Sequence, residues 1–435
     1  MFQMQIDKLA YGGSGFGRID GKACFVPFTT VGDLVEVRIE KSKKSYSEGV
    51  VERIICPSIH RISPPCPVFG VCGGCNWQHI FYDEQCEQKK NIFIDTLWRT
   101  ARVEAEKIKP VLKAISPFEY RQRIRLKVDY SANKLSLGFY RRASHDVVDI
   151  GDHCEIASKP LNNAIRKVRE IILASKQPTN IFQVDLASAS DASVSALFHY
   201  NGSRPEAFAE YLSRCDITGG ELHSINMQGG DKKNFQHIIG LHKLMYSVPS
   251  SLPGKDVNLY FSPDSFSQVN LAQNRVIVQL LHNYCLKISP DSILDLYCGN
   301  GNFSLPLAGM VKRILGFESS RKSVSLAEYN ATVNVVENAR YICKDSVAGV
   351  YELVKIQDKF DLVIMDPPRT GADQLCRELH KTGTSHLIYI SCDPPTLGRD
   401  LAILKSTGFE VIYIQPVDMF PQTYHLESIV FLKVA

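Results

Sequence analysis

The stretch Tyr389-Ile-Ser-Cys-Asp-Pro-Pro-Thr-Leu-Gly-Arg-Asp-Leu401 places a thiol where an apolar strand must stop. Leu387 to Ile390 are apolar, Ser391 and Cys392 follow, and the prolines after Asp393 cannot continue a central strand. A side chain at the carboxyl end of a parallel strand faces the crevice in which open α/β sheets bind ligands. Cys392 is therefore either a small core side chain or a nucleophile, and the Asp-Pro-Pro after it disfavours burial. Asp366-Pro-Pro-Arg-Thr-Gly ends another apolar run, so its carboxylate is expected in the same crevice, on a loop stiffened by proline. Glu427, in Tyr424-His-Leu-Glu-Ser-Ile429, stands just before the last apolar run. A glutamate there is ordinarily solvated, and it draws interest from the company it keeps.

A glycine turn, Cys298-Gly-Asn-Gly-Asn302, follows the apolar run that begins at Ser292. Gly299 and Gly301 allow a ligand to approach the backbone closely, but the third glycine of the dinucleotide fingerprint is missing. Glu318 closes the next apolar run, where a carboxylate can take both hydroxyls of a ribose. An adenosyl ribose without pyrophosphate fits this pattern. It points to S-adenosylmethionine, whose sulfonium would also favour nearby acids such as Asp366.

Cys66-Pro-Val-Phe-Gly-Val-Cys-Gly-Gly-Cys75 is a second chemical signal, with the spacing C-x5-C-x2-C. Glycines let the backbone fold tightly around a compact centre, so the three thiols read as metal ligands. Downstream, Cys86 in a helical pattern and Cys154 in a turn are both open as the fourth. Ligation by sulfur alone suits a 4Fe-4S cluster better than zinc, which usually shows two close pairs. The C-x3-C-x2-C spacing of radical enzymes using the same adenosyl cofactor is absent.

The elements that must position these groups follow from periodicity. From about residue 257 onward apolar runs alternate with helical segments, which implies a parallel α/β sheet. Its seven strands are expected at Ser292–Tyr297, Ile314–Glu318, Arg340–Cys343, Leu362–Met365, Leu387–Ser391, Val411–Gln415 and Ile429–Leu432, with a helix from Phe303. Residues 1–57 show short alternating runs divided by turn residues, a pattern similar to an OB-type barrel. Arg38, Lys41, Lys43, Lys44 and Arg53 cluster there, as a solvated face or as an RNA contact. Residues 58–255 form a mixed α+β middle. Within it Arg121, Arg123, Arg125 and Lys127 alternate with apolar residues, so one strand face could carry a basic stripe. Such a stripe either contacts phosphate or protects an edge strand.

The 435 residues allow two or three domains, and 44% hydrophobic with 22% charged residues is ordinary for a globular protein. A net charge of +4 demands no nucleic-acid partner but permits a local basic face. No basic leader precedes an apolar run at the amino end and no uncharged stretch reaches spanning length, so a cytoplasmic protein without membrane contact is expected. In that compartment thirteen cysteines suggest metal or catalytic use rather than disulfides.

With these motifs in this order, the chain resembles the RNA uracil-5-methyltransferases, in particular their iron-sulfur, TRAM-containing branch. The resemblance covers nearly the whole length. It implies a TRAM barrel (1–57), a central iron-sulfur and RNA-binding domain (58–255) and a Rossmann-like S-adenosylmethionine methyltransferase domain (256–435). It further implies cluster ligands at Cys66, Cys72, Cys75 and Cys154, and cofactor contacts at Gln268, Tyr297, Asn302, Glu318, Asp345 and Asp366. The nucleophile would be Cys392, the base Glu427, and RNA contacts Arg125 and Phe266. A monomer acting on 23S rRNA is expected, with a tRNA uridine as the alternative target. Rival readings are methylation of cytosine C5 or of a nitrogen, and a noncatalytic RNA-binding assembly protein. Related rRNA enzymes carry Asp-Pro-Ala-Arg and Ser-Cys-Asn-Pro where this chain has Asp366-Pro-Pro-Arg and Ser391-Cys-Asp-Pro, so the chemistry transfers more safely than the target.

Overall fold

A computed structural model describes residues 1–229, 234–252 and 254–435. At the amino end six strands, β1 (Phe2–Gln5), β2 (Lys8–Leu9), β3 (Gly15–Ile19), β4 (Lys22–Val26), β5 (Leu34–Ser42) and β6 (Tyr46–Cys56), form one sheet in the order β1-β5-β6-β4-β3-β2. Alternate side chains point inward, giving a small core of Met4, Ile6, Cys24, Val26, Val35 and Val37. The strands coil closely enough that a Cβ on Gly17 would lie 2.2 Å from the Gln5 carbonyl. The basic residues of β5 and β6 are mostly paired at the surface, Arg38 with Glu52 and Arg53 with Glu36.

Helix α1 (Tyr82–Ala101) comes next, followed by a second sheet of β7 (Arg123–Ser131), β8 (Lys134–Tyr140), β9 (Val147–Asp149), β10 (Ile181–Ser188), β11 (Val194–Tyr200), β12 (Ser224–Gly229) and β13 (Asn234–Gly240). Its order is β13-β12-β11-β10-β7-β8-β9. Helices α2 (Lys159–Ala174) and α3 (Pro205–Ser213) bury Ile165, Val168, Phe208 and Leu212 against one face. Strand β7 lies between β10 and β8, so the basic stripe does not protect an edge. Although α1 belongs by sequence to the middle of the chain, it packs elsewhere. Phe93, Leu97 and Ala101 join the core beneath the third sheet, and Ile108 and Leu112 bridge to Ile414 and Val417.

After the hairpin β14 (Leu244–Val248) and β15 (Val257–Phe261), helix α4 (Leu271–Ile288) leads into that third sheet. Its strands are β16 (Ser292–Leu296), β17 (Arg313–Glu318), β18 (Ala339–Cys343), β19 (Leu362–Met365), β20 (His386–Ser391), β21 (Phe409–Val417) and β22 (Glu427–Val434). Between them run α5 (Arg321–Val333), α6 (Ser346–Ile356), α7 (Asp373–Glu378) and α8 (Pro394–Ser406). The order is β18-β17-β16-β19-β20-β22-β21, parallel from β16 to β20. The all-parallel expectation is corrected at the far edge, where β22 runs antiparallel to both neighbours. The connection after β21, residues 418–426, can reverse the chain but is shorter than the dozen or so residues that a crossover to a parallel position needs. The helix expected from Phe303 is also corrected. Only the 3-10 helix Leu305–Met310 forms there.

Candidate active site

Asp366 follows the last residue of β19, Cys392 follows the last residue of β20, and Glu427 is the first residue of β22. The reversed direction of β22 is what brings them together. Ser391 pairs with Ser428 and Val417 with Glu427, so the amino end of β22 lies beside the carboxyl end of β20. The Ser428 hydroxyl donates to the Ser391 carbonyl at 3.1 Å and pins the two ends.

Electrostatics couples the same groups. Burial pushes the half-buried Cys392 thiol up to about 12, and the Glu427 and Asp366 carboxylates push in the same direction. The Arg369 guanidinium opposes them. Glu427 is only 7% exposed and does not follow the solvated expectation. Burial, then the Asp366 charge, hold its carboxyl well above the usual carboxylate range, with Arg369 opposing. Burial also raises Asp366 to about 7. A thiol, two acids and one guanidinium thus share a small, poorly solvated space, an arrangement suited to moving protons near neutral pH.

The barrel reaches this site. Asp393, next to the thiol, caps α8 by accepting from the Thr396 N–H at 3.0 Å, and its other oxygen accepts from the Tyr11 hydroxyl at 2.7 Å. Tyr11 in turn lies edge-on to Tyr424, with ring centres 5.5 Å apart. On the opposite flank Lys89 of α1 and Asp418 form a fully buried ion pair at 2.6 Å. Gln85 exchanges hydrogen bonds with Gln422, so α1 holds the loop that leads into Glu427 at two points.

A second group of candidate residues gathers where β16 ends. Tyr297 (φ 62°), Gly299 (φ 55°) and Gly301 (φ 83°) all take left-handed conformations. A Cβ on Gly301 would come within 2.6 Å of Leu305. Glu318 accepts from the Gly299 N–H at 3.3 Å and from the Ser320 N–H at 2.8 Å. Asp345 caps α6 by accepting from the Val347 and Ala348 N–H groups and remains exposed. Burial and the Asp345 charge push the Tyr297 phenol up to about 12. Asn302 is engaged differently from the expected ligand contact. Its amide exchanges bonds with Asn274 at 2.8 and 2.9 Å and accepts from Tyr246 at 2.9 Å, bracing the turn against α4 and β14.

Beneath the turn Asp295 is 2% exposed, and its Oδ2 has no hydrogen-bond partner among the described residues. Burial raises its carboxyl to about 7, the Asp366 and Glu318 charges add to this, and Ser304 opposes. An orphaned buried carboxylate oxygen beside two further acids, Asp366 and Glu318, fits a cationic, hydroxyl-bearing ligand. Asp295 was discoverable as a lone acid within the otherwise apolar run Ile-Leu-Asp-Leu. Arg369 and Tyr11 gave no comparable signal. Gln268 is half-buried just before α4, and neighbouring Phe266 is 70% exposed.

Cys66, Cys72, Cys75 and Cys154 line one cavity of about 270 Å³, together with Val68, Phe69, Arg121 and Arg125. Burial pushes the Cys72 thiol to about 11 and the Cys75 thiol to about 12, and the other thiols add to both. Cys86 lies elsewhere, with its sulfur 3.9 Å from an Asp418 oxygen. Among the described residues no three His, Cys, Asp or Glu side chains converge as a ligand group for a metal ion. The four thiols surround a space instead, a donor set that fits a polynuclear, sulfur-ligated group. Arg125 pairs with Asp185 at 3.2 Å and Lys127 with Gln183 at 2.6 Å, while Arg123 donates to the Pro263 and Ser265 carbonyls and ties the Phe266 segment to β7. Arg121, Arg123, Arg125 and Phe266 share a second pocket of about 440 Å³.

The third sheet thus carries a glycine turn at the end of a central strand, flanked by a thiol and a buried glutamate, the layout of a methyltransferase sheet. The family model described as tRNA (Uracil-5-)-methyltransferase matches residues 81–435, and the TRAM domain model matches residues 3–51. The chain belongs to this family of RNA (uracil-C5)-methyltransferases. The start of the match at residue 81 coincides with α1, which packs with the third sheet. The chain is similar to the 23S rRNA (uracil(1939)-C(5))-methyltransferase RlmD of Aeromonas hydrophila, at 31% identity covering 99% of this chain and 96% of that one. It is equally similar to an uncharacterized RNA methyltransferase of Aquifex aeolicus, at 31% identity over 99% and 98%. Among solved structures, it resembles the Pyrococcus abyssi tRNA (uracil-54, C5)-methyltransferase in complex with S-adenosyl-L-homocysteine, at 25% identity and a TM-score of 0.74, covering 99% and 100% of the two chains. Among the described residues no helix is long and apolar enough to cross a membrane.

Proposed function

We propose that this protein methylates C5 of a uridine in structured RNA, with 23S rRNA as the target, through a covalent adduct on Cys392. The observation that carries the reading is the adjacency of Cys392 and Glu427, produced by the reversed strand β22. C5 of uracil is too weak a nucleophile to attack a methyl group unaided. Addition of the Cys392 thiolate to C6 converts the ring to an enolate with charge at C5. S-adenosylmethionine supplies the methyl group. Only the thiolate adds, and a thiol held near 12 must lose its proton as RNA binds, with Arg369 favouring the anion. After transfer C5 carries both the methyl group and a proton. Glu427 takes that proton, the C5–C6 double bond re-forms and the thiolate leaves. Its raised affinity for protons suits this acceptor role.

Glu318 would hold the ribose, with Tyr297, Asp345, Asp366 and Gln268 around the rest of the cofactor and Asn302 acting through the turn. Cys66, Cys72, Cys75 and Cys154 would hold a 4Fe-4S cluster, tying the segment before α1 to the turn before α2. Arg125 and Phe266 would face the RNA. The target base must leave its stack, at a cost of about a few kcal/mol.

The test uses RNA from a strain lacking this protein. Wild type should transfer a labelled methyl group into 23S rRNA, and mapping should return 5-methyluridine. Cys392→Ala should give neither methylation nor adduct. Glu427→Gln should add and methylate but fail to eliminate, leaving a denaturation-resistant protein–RNA band. Methyl label in tRNA alone would move the target. Turnover by Cys392→Ala would overturn the mechanism.

A further inference from the structure

The barrel carries an outward-facing row of rings that the catalytic reading does not use. Gly15, Gly17, Cys24 and Val26 are buried, so the residues between them, Phe16 and Phe25, point away from the barrel core and are half-exposed. Phe16 on β3 is the direct cross-strand partner of Phe25 on β4, with ring centres 5.6 Å apart. Phe25 lies edge-on to Tyr46 on β6 at 5.7 Å. On the other side Lys8 of β2 pairs across from Phe16. The row Tyr46–Phe25–Phe16–Lys8 therefore crosses four adjacent strands on one face.

Cations rim these rings. The Lys8 ammonium and the Arg18 guanidinium each lie 5.8 Å from the Phe16 centre, and the Lys43 ammonium lies 4.9 Å from that of Tyr46. Lys8 also makes an exposed ion pair with Asp95, Arg18 donates to the Gly21 carbonyl, and Lys43 donates to the Tyr46 hydroxyl. Glu48, opposite Phe25, contributes one carboxylate to the face. Three cations against two acids, Glu48 and the Asp95 that pairs with Lys8, still leave the face positive, and cations spaced along three rings match a chain that alternates flat bases with phosphates. Rings offer stacking to any base, and the cations track the backbone. By contrast Arg38 and Arg53, in the basic cluster the sequence singles out, face glutamates of their own sheet.

We infer that Phe16, Phe25 and Tyr46, with Lys8, Arg18 and Lys43, form a stacking platform for a single-stranded stretch of the substrate RNA outside the target nucleotide. The inference rests on the RNA-methyltransferase reading for its ligand class. The Tyr11–Asp393 bond joins the same barrel to the catalytic loop, so RNA held on the platform stays tethered near Cys392.

The test measures binding apart from methylation. The probe is a fluorescein-labelled oligouridylate of about 12 nucleotides, within the span an OB-type barrel covers, followed by anisotropy with the full-length protein. Phe16→Ala/Phe25→Ala should weaken binding by about tenfold or more, since each lost stacking step is worth roughly that much. Phe16→Tyr/Phe25→Tyr should restore it. Lys8→Ala/Arg18→Ala/Lys43→Ala leaves the rings in place and should flatten the dependence of affinity on salt. Should the phenylalanine double variant lose its folded circular-dichroism spectrum, this triple variant and the tyrosine pair decide the matter. With structured RNA substrate, the alanine pair should raise KM and leave kcat unchanged. Equal oligouridylate affinity in all variants would overturn the platform while leaving the methyltransferase reading intact. Failure of wild type to methylate any RNA, with oligouridylate binding still sensitive to the rings, would overturn the function and leave the platform.

Discussion

Lys89→Met tests how the catalytic loop is held. Lys89 has no solvent exposure; its ammonium lies 2.6 Å from one Asp418 oxygen and 3.0 Å from the Phe420 carbonyl. Methionine keeps most of the stem and removes the charge. Asp418 would retain the Tyr82 hydroxyl at 3.0 Å but would be left a buried, uncompensated anion. Breaking such a pair from one side costs about 3–5 kcal/mol, or two to nearly four orders of magnitude in the folded ratio at about 1.4 kcal/mol per tenfold. Lys89→Met/Asp418→Asn removes the orphaned charge while an oxygen still accepts from Tyr82, so it should recover most of the loss. Guanidinium unfolding followed by tryptophan fluorescence reads the change directly, because the buried Trp77 ring lies 6.0 Å from the Lys89 ammonium. The loop from Asp418 leads into Glu427, so the single variant should also lower kcat and leave KM little changed. A destabilisation below about 1 kcal/mol, or a double variant no better than the single one, would refute the view that this pair braces the loop.

Glu318→Ala removes bonds to a charged acceptor worth about 1.5–3 kcal/mol each, so cofactor affinity by calorimetry should fall more than tenfold; unchanged affinity would place the ribose elsewhere. Anaerobically purified protein should contain iron and acid-labile sulfide, which Cys154→Ser should lose and Cys86→Ser retain. Zinc in place of iron, or the opposite pattern in the two variants, would refute the cysteine assignment. The Arg369 cation lowers the Cys392 thiol, so Arg369→Ala should raise it further and move the rising limb of the pH–rate profile to higher pH. Arg369→Lys should restore part of that shift, and a profile identical to wild type would remove Arg369 from thiolate stabilisation.

Strand positions in the third sheet were legible because buried parallel strands are continuous apolar runs, as in Leu362–Met365 and His386–Ser391. The direction of β22 was not legible, since an apolar run reads the same both ways. The burial of Glu427 is set by that direction, so a solvated glutamate was the natural expectation from local sequence. The alternation in β7 showed that Arg123, Arg125 and Lys127 share a face. Their partners Asp185 and Gln183 lie on β10 and no local rule pairs them. The three close cysteines showed as a spacing, whereas placing Cys154 beside them required the fold of the middle sheet. Asn302 illustrates a further limit. The family resemblance implies a cofactor contact there, and no local rule foretells that its side-chain amide also meets Asn274 and Tyr246, both distant in sequence.

The interior place of β22, between β20 and β21, also sets an order of assembly. In chain order β16 to β20 and the glycine turn, with the α4 and β14 side chains that brace it, all precede β21 and β22. β21 comes next and can bridge to Ile108 and Leu112, but it has no place in the third sheet until β22 arrives, because it reaches β20 only through β22. β21 and β22, joined by residues 418–426, pair as one antiparallel hairpin docked along β20. Glu427 enters the crevice only with that docking. Under the proposed mechanism, a chain without this hairpin would carry the glycine turn and Cys392 but lack the base that releases the adduct, so the hairpin would be the element that makes turnover possible.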